Sequence, residues 1–164
     1  MKKIWIAAAV AVLLLTGCGA RETFETVSED YGQEVSVQPM QILISLPEGT
    51  AASAMETEDS AKIFVCDGYS VTTQTLEGGD MDRTLRQITG YGRDQLKCVE
   101  SASGGLKRCD CVWVCAGEKG DQVCRSSVYS DGAYHYAVTV MADETCSGKI
   151  GEIFENLAIR INPA

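Results

Sequence analysis

Cysteine is the residue whose number and spacing in this chain could carry chemistry: there are eight among 164 residues. Cys18 stands alone near the start, and Cys66, Cys98, Cys109, Cys111, Cys115, Cys124 and Cys146 are spread over the remainder. Seven is an odd number, so at least one of these thiols stays unpaired within a monomer. Three readings stay open for the group between Cys98 and Cys124. The simplest is buried free thiols acting as small apolar fillers, followed by structural disulfides, then metal or redox chemistry. Cys109-x-Cys111-x3-Cys115 lacks the paired Cys-x2-Cys spacing of zinc sites. Strand alternation also spreads such sulfurs by about 6.6 Å per two residues, so four around one ion would need flanking strands to contribute. The expectation is therefore no metal and no cofactor, with no stoichiometric zinc or iron by mass spectrometry. Cys146 sits beside Ser147 at a predicted helix start, where the helix dipole lowers a thiol pKa. An ordinary exposed loop cysteine is the simpler reading.

Hairpin turns would position the central thiols. A two-residue turn at Gly104-Gly105 sets Cys98 opposite Cys111, and one at Lys119-Gly120 sets Cys115 opposite Cys124, all on one sheet face. Directly opposed residues have Cβ atoms roughly 4.5 to 5.5 Å apart, wide for a disulfide but within reach of local adjustment. Cys98, Cys111, Cys115 and Cys124 are thus the candidate disulfide residues. A register slip of one residue would undo both pairings.

The elements around them follow from periodicity and turn chemistry. Gln41 to Leu46 alternates Ile42, Ile44 and Leu46 on one strand face, and Ala51 to Ser60 reads as an exposed connection. Lys62–Cys66 and Tyr69–Thr73 flank Asp67-Gly68, a dipeptide suited to a tight hairpin. Asp80 caps a helix that presents Met81, Leu85 and Ile88 until Gly90 stops it. Leu96–Glu100, Leu106–Cys109, Cys111–Cys115, Val123–Tyr129 and Tyr134–Met141 are strands joined by turns too short for a parallel crossover. A second helix starts near Ser147 with Ile150, Ile153, Phe154 and Leu157 as its apolar stripe, and Ile159–Ile161 closes the chain as a short strand. Both faces of the central strands carry bulky groups, so both need cover. The predicted class is α+β: an antiparallel meander sheet flanked by helices on both faces.

The order of these elements resembles the PsbP-like family. The resemblance rests on Leu46-Pro47-Glu48-Gly49, Ile88-Thr89-Gly90, Val112-Trp113-Val114 through Val123, Asp131 to Val138 and the closing amphipathic helix, covering roughly residues 37–161. It implies an α/β/α sandwich. It does not carry over that family's photosynthetic role or its manganese and calcium chemistry, for which nothing here speaks.

The first residues read as an export signal: Lys2 and Lys3, an apolar run from Ile4 to Leu15, then small Gly17. That run is too short for the roughly 20 residues a membrane-crossing helix needs. Leu15-Thr16-Gly17-Cys18 resembles a bacterial lipobox. The resemblance implies a diacylglycerol on the Cys18 thiol, with acyl chains such as palmitate, and cleavage before Cys18. Two chains suffice for stable anchoring, at about 0.8 kcal/mol per buried methylene. The domain reading is residues 1–17 as signal peptide, 18–37 as a polar, acidic tether and 38–164 as one globular domain. Val35 and Val37 alternate with polar neighbours, and a packed strand there would shorten the tether.

Losing Lys2 and Lys3 with the leader takes the formal net charge from −9 to −11. That acidity argues against nucleic acid and anionic lipid headgroups as partners. His135, the single histidine, lies between Tyr134 and Tyr136 and reads as a packed, hydrogen-bonded side chain. Glu77, Asp80 and Asp82 read as helix-start carboxylates, and Tyr91, Trp113, Tyr129, Tyr134 and Tyr136 as core. Asp121, Asp131 and Asp143 lie at turns without a calcium loop. No nucleophile elbow, phosphate loop or zinc-protease helix occurs. The expected function is a noncatalytic, lipid-anchored module of the cell envelope, facing outward from the cytoplasmic membrane and binding an unidentified envelope protein or ligand. The alternative is a thiol-based redox sensor or metal-binding lipoprotein using the cysteines.

Overall fold

The computed structural model describes residues 38–57, 61–117 and 120–161. The signal segment, the tether with Cys18, Val35 and Val37, and Lys119 of the predicted turn lie outside the described residues.

Among the described residues there are nine strands and two α-helices. Strands β2 (Ser53–Glu56), β3 (Lys62–Cys66), β4 (Tyr69–Glu77), β5 (Lys97–Ser103), β6 (Leu106–Gly117), β7 (Gly120–Ser130) and β8 (Tyr134–Asp143) form one sheet. Their order is β2-β3-β4-β8-β7-β6-β5, antiparallel at every junction. The short β1 (Gln41–Leu43) and β9 (Ala158–Arg160) pair with each other in a separate two-stranded sheet. Helix α1 spans Met81–Thr89 and α2 spans Gly148–Glu155.

Local sequence accounts for most boundaries. Gly104 and Gly105 have φ of 59° and 82°, the positive values a two-residue turn between Ser103 and Leu106 requires. Asp80 Oδ1 accepts from the Asp82 amide at 3.0 Å to start α1, and Gly90 ends it with its amide bonded to the Arg86 carbonyl. β2 was not expected. All four of its residues are exposed, so no burial pattern marks it, and it exists because Ser53 to Glu56 add to the open edge of β3.

Residues directly opposed in an antiparallel ladder share a face, so the registers sort the core into two clusters. On one face Tyr69, Val71, Val138, Val140 and Ala142 meet Ile150, Ile153 and Phe154 of α2, with Ile42, Ile44, Leu46 and Leu157 against them. On the other, Cys109, Cys111, Trp113, Cys124, Val128 and Ala137 meet Leu85 of α1 and Leu96, with Met81, Ile88 and Tyr91 at the margin.

The α+β reading, an α/β/α sandwich with helical layers on both faces, is corrected here. The molecule is predominantly antiparallel sheet. Helices of nine and eight residues are about 13 Å long, whereas seven strands span roughly 29 Å across the sheet. Neither is long enough to form a layer. Val99, Val112 and Val114 accordingly remain exposed at the β5-β6 end.

One buried corner ties β1 to the main sheet. The Tyr136 hydroxyl donates to Asp131 Oδ2 at 2.7 Å and accepts from the Met40 amide at 3.0 Å. Asp131 Oδ1 accepts from the amides of Ala133 and Tyr134 at 2.9 and 2.7 Å, closing the β7-β8 turn. Tyr136→Phe leaves a buried carboxylate oxygen and a backbone amide without their partner. We expect a loss of about 1.5 to 3 kcal/mol, read as a lower urea midpoint with unchanged slope.

Candidate functional site

The cysteine cluster lies on the α1 face of β5, β6 and β7. Cys98 of β5 stands directly opposite Cys111 of β6, because the Gly104-Gly105 turn fixes that register. Their sulfurs are 2.7 Å apart. Cys109, two residues along the same strand face, brings its sulfur within 3.7 Å of Cys111. All three sulfurs lie within 4.8 Å of one another. Cys109 and Cys111 are fully buried, and Cys98, on the edge strand, is partly exposed.

The second pair differs from expectation in register. Gly117 pairs with Gly120, so the β6-β7 ladder closes one position earlier than a Lys119-Gly120 turn would have it, and Trp113 rather than Cys115 stands opposite Cys124. Glycine on both sides of the turn allows either position, and side-chain alternation alone does not choose between them. Moving the turn by one residue changes each pairing by two, which keeps every side chain on its face. Cys115 and Cys124 are therefore diagonal neighbours on the same face, with sulfurs 3.0 Å apart. Of the remaining thiols, Cys66 and Cys146 pack at the margin of the opposite cluster.

Electrostatics divides these thiols. Burial pushes Cys124 up to about 12 and raises Cys98. The shared hydrogen bond raises Cys111 and lowers Cys109, with the Arg93 guanidinium also lowering Cys109. Cys109 is thus the thiol of the three best placed to hold negative charge. Arg93 is shared: it binds Asp82 at 3.0 Å and Glu100, which stands opposite Cys109 across the β5-β6 ladder.

The other sequence candidates have structural partners. His135 is buried, with Nδ1 2.7 Å from Thr84 Oγ1. Trp113 and Tyr136 are core residues, Asp131 holds the Tyr136 corner, and Asp143 accepts from Gln122 at 2.9 Å. Two polar grooves, of about 370 and 320 Å³, lie along β1 and beside the start of α1. Neither is lined by a cysteine or an aromatic side chain. Sequence reasoning did not find Arg93, because its approach to Cys109 joins a loop to a strand and leaves no local pattern.

Residues 1–18 match the model of the prokaryotic membrane lipoprotein lipid attachment site. The match supports a lipid-anchored membrane lipoprotein. Among the described residues no helix is long and apolar enough to cross a membrane. No curated protein matches the sequence. A crystal structure from Bacteroides thetaiotaomicron VPI-5482 is similar at a TM-score of 0.49 and 12% identity, covering 73% of this chain and 45% of that one. The chain thus spans less than half the length of that protein. None of these matches shows a PsbP-like domain.

Two outcomes follow. Labelled palmitate should enter the wild-type protein and not Cys18→Ala, which should also keep its leader by intact mass. Burial holds the His135 pKa below its ordinary value, with Asp131 and Asp80 pulling the other way. The folded ring takes up a proton less readily than the unfolded one. Its contribution to stability is complete above a pH of about 6.5 and is lost as the pH falls from there through the folded value. His135→Asn should flatten the decline in denaturation midpoint between about pH 7 and pH 5.

Proposed function

We propose that this lipoprotein is displayed on the outer side of the cytoplasmic membrane as a noncatalytic binding or assembly module for another envelope protein. The observation that supports this most is the uncovered apolar stripe at one end of the sheet. Val99, Val112 and Val114 are 64%, 42% and 57% exposed. They share the α2 face of the sheet, beyond the reach of that helix.

A polar rim borders the stripe. Asp110 lies 2.8 Å from the Arg108 guanidinium and 3.6 Å from that of Arg125, and it accepts from Ser127. An apolar centre edged by arginines is the anatomy of a protein-binding patch, and an acidic domain disfavours anionic lipid as its occupant. A second reading, thiol-based redox or metal chemistry, is favoured by the three sulfurs of Cys98, Cys109 and Cys111.

A photo-crosslinking residue in place of Val112 should give one adduct of discrete mass in intact cells, lost when Val114→Asp is added. The same residue in place of exposed Glu152 on α2 serves as control. Val114→Asp should change stability by no more than about 0.5 kcal/mol, as exposed substitutions do. Absence of an adduct from Val112, or an identical adduct from position 152, would count against the binding role.

A further inference from the structure

We infer that Cys98, Cys109 and Cys111 form a three-thiolate site for a soft monovalent d10 cation, Cu(I). This deepens the second reading above and is independent of the valine stripe. Three sulfurs on a metal with bonds of roughly 2.3 Å stand about 4 Å apart. Cys109 and Cys111 are already 3.7 Å apart, and the whole set lies within 4.8 Å. The Cys98 to Cys111 approach of 2.7 Å has to open by about 1 Å to reach that spacing. A χ1 adjustment of Cys98 supplies it, because Cys98 is partly exposed on the edge strand β5. The same edge is the route of entry.

Ligand number and softness select the ion. Thiolates favour Cu(I), zinc and iron-sulfur clusters, but structural zinc takes four protein ligands. Among the described residues no fourth cysteine, histidine or carboxylate joins this group. Glu100, across the ladder from Cys109, is engaged by Arg93. Three sulfurs without a fourth donor suit a three-coordinate monovalent ion, and two of the three, Cys109 and Cys111, are buried. The spread of sulfurs along one strand, which argues against a metal when β6 is considered alone, is overcome because β5 contributes the third.

The test is anaerobic titration of the detergent-solubilised, full-length protein with Cu(I) against a chromophoric Cu(I) chelator. One ion per chain should be retained, and X-ray absorption of the unmodified protein should show a first shell of three sulfurs. Cys98→Ser, Cys109→Ser and Cys111→Ser should each weaken retention at least tenfold. The double variant Cys115→Ser, Cys124→Ser should retain the ion. A two-sulfur shell, indifference to Cys109→Ser, or a stoichiometric Cys98–Cys111 disulfide in anaerobically isolated protein would overturn the site. Should Cu(I) not bind while native thiols react readily with a disulfide reagent, the inference fails and the broader thiol reading stands. Should Cu(I) not bind and the thiols be inert until denatured, both fail.

Discussion

The pairing of β4 with β8 is the constraint on which the rest of the molecule depends. It joins nine residue pairs, from Tyr69 with Ala142 to Glu77 with Tyr134, and unites the run β2-β3-β4 with the run β5-β6-β7-β8 into one sheet. β8 is consequently central, and it is buried or nearly so along its whole length. Its alternation sends Val138, Val140 and Ala142 towards α2, and Ala137 and Met141 towards α1 and the cysteines. Without that ladder each half would expose an apolar face to water, at roughly 25 cal/mol for every Å².

Distance from β8 then governs how well the sheet is covered. Near the centre both faces meet a helix, and buried polar groups find one another, as Ser126 does with Thr139 at 3.0 Å. Towards β5 no described residue covers the α2 face, where Val99, Val112 and Val114 are exposed. The transition is marked by Arg125, whose guanidinium lies 4.3 Å from the centre of the Phe154 ring and 3.6 Å from Asp110. A cation stacked on an aromatic ring closes the edge of the core, and the valines beyond it are left to a partner or to solvent.

On the opposite face the same geometry concentrates sulfur. Strand alternation places Cys109, Cys111, Trp113 and Cys115 on one side of β6, and the neighbouring strands add Cys98 and Cys124 to that side. α1 reaches the cluster through Leu85. Cys109, Cys111 and Cys124 are buried on one face, while at the β5-β6 end Val99, Val112 and Val114 are exposed on the other. The lipid attachment site at residues 1–18 precedes the described domain in sequence.

The sequence alone determined what short-range chemistry controls. Gly104-Gly105 fixed one hairpin and with it the opposition of Cys98 and Cys111. Asp80 and Gly90 delimited α1, the Ile150, Ile153 and Phe154 stripe located α2, and residues 1–18 specified the lipid attachment site. The tertiary structure decided what depends on residues far apart. The exposed β2 exists only through its neighbour, and the β6-β7 register had two glycine-compatible solutions. The approach of Arg93 to Cys109 joins separate elements. The sandwich expected from the amphipathic helices failed because hydrophobic periodicity states which face of a helix is buried, not how wide a sheet lies beneath it. That width is set by the β4-β8 junction, a contact between residues 57 to 73 positions apart, from Glu77 with Tyr134 to Tyr69 with Ala142, for which no local pattern in the chain carries a signal.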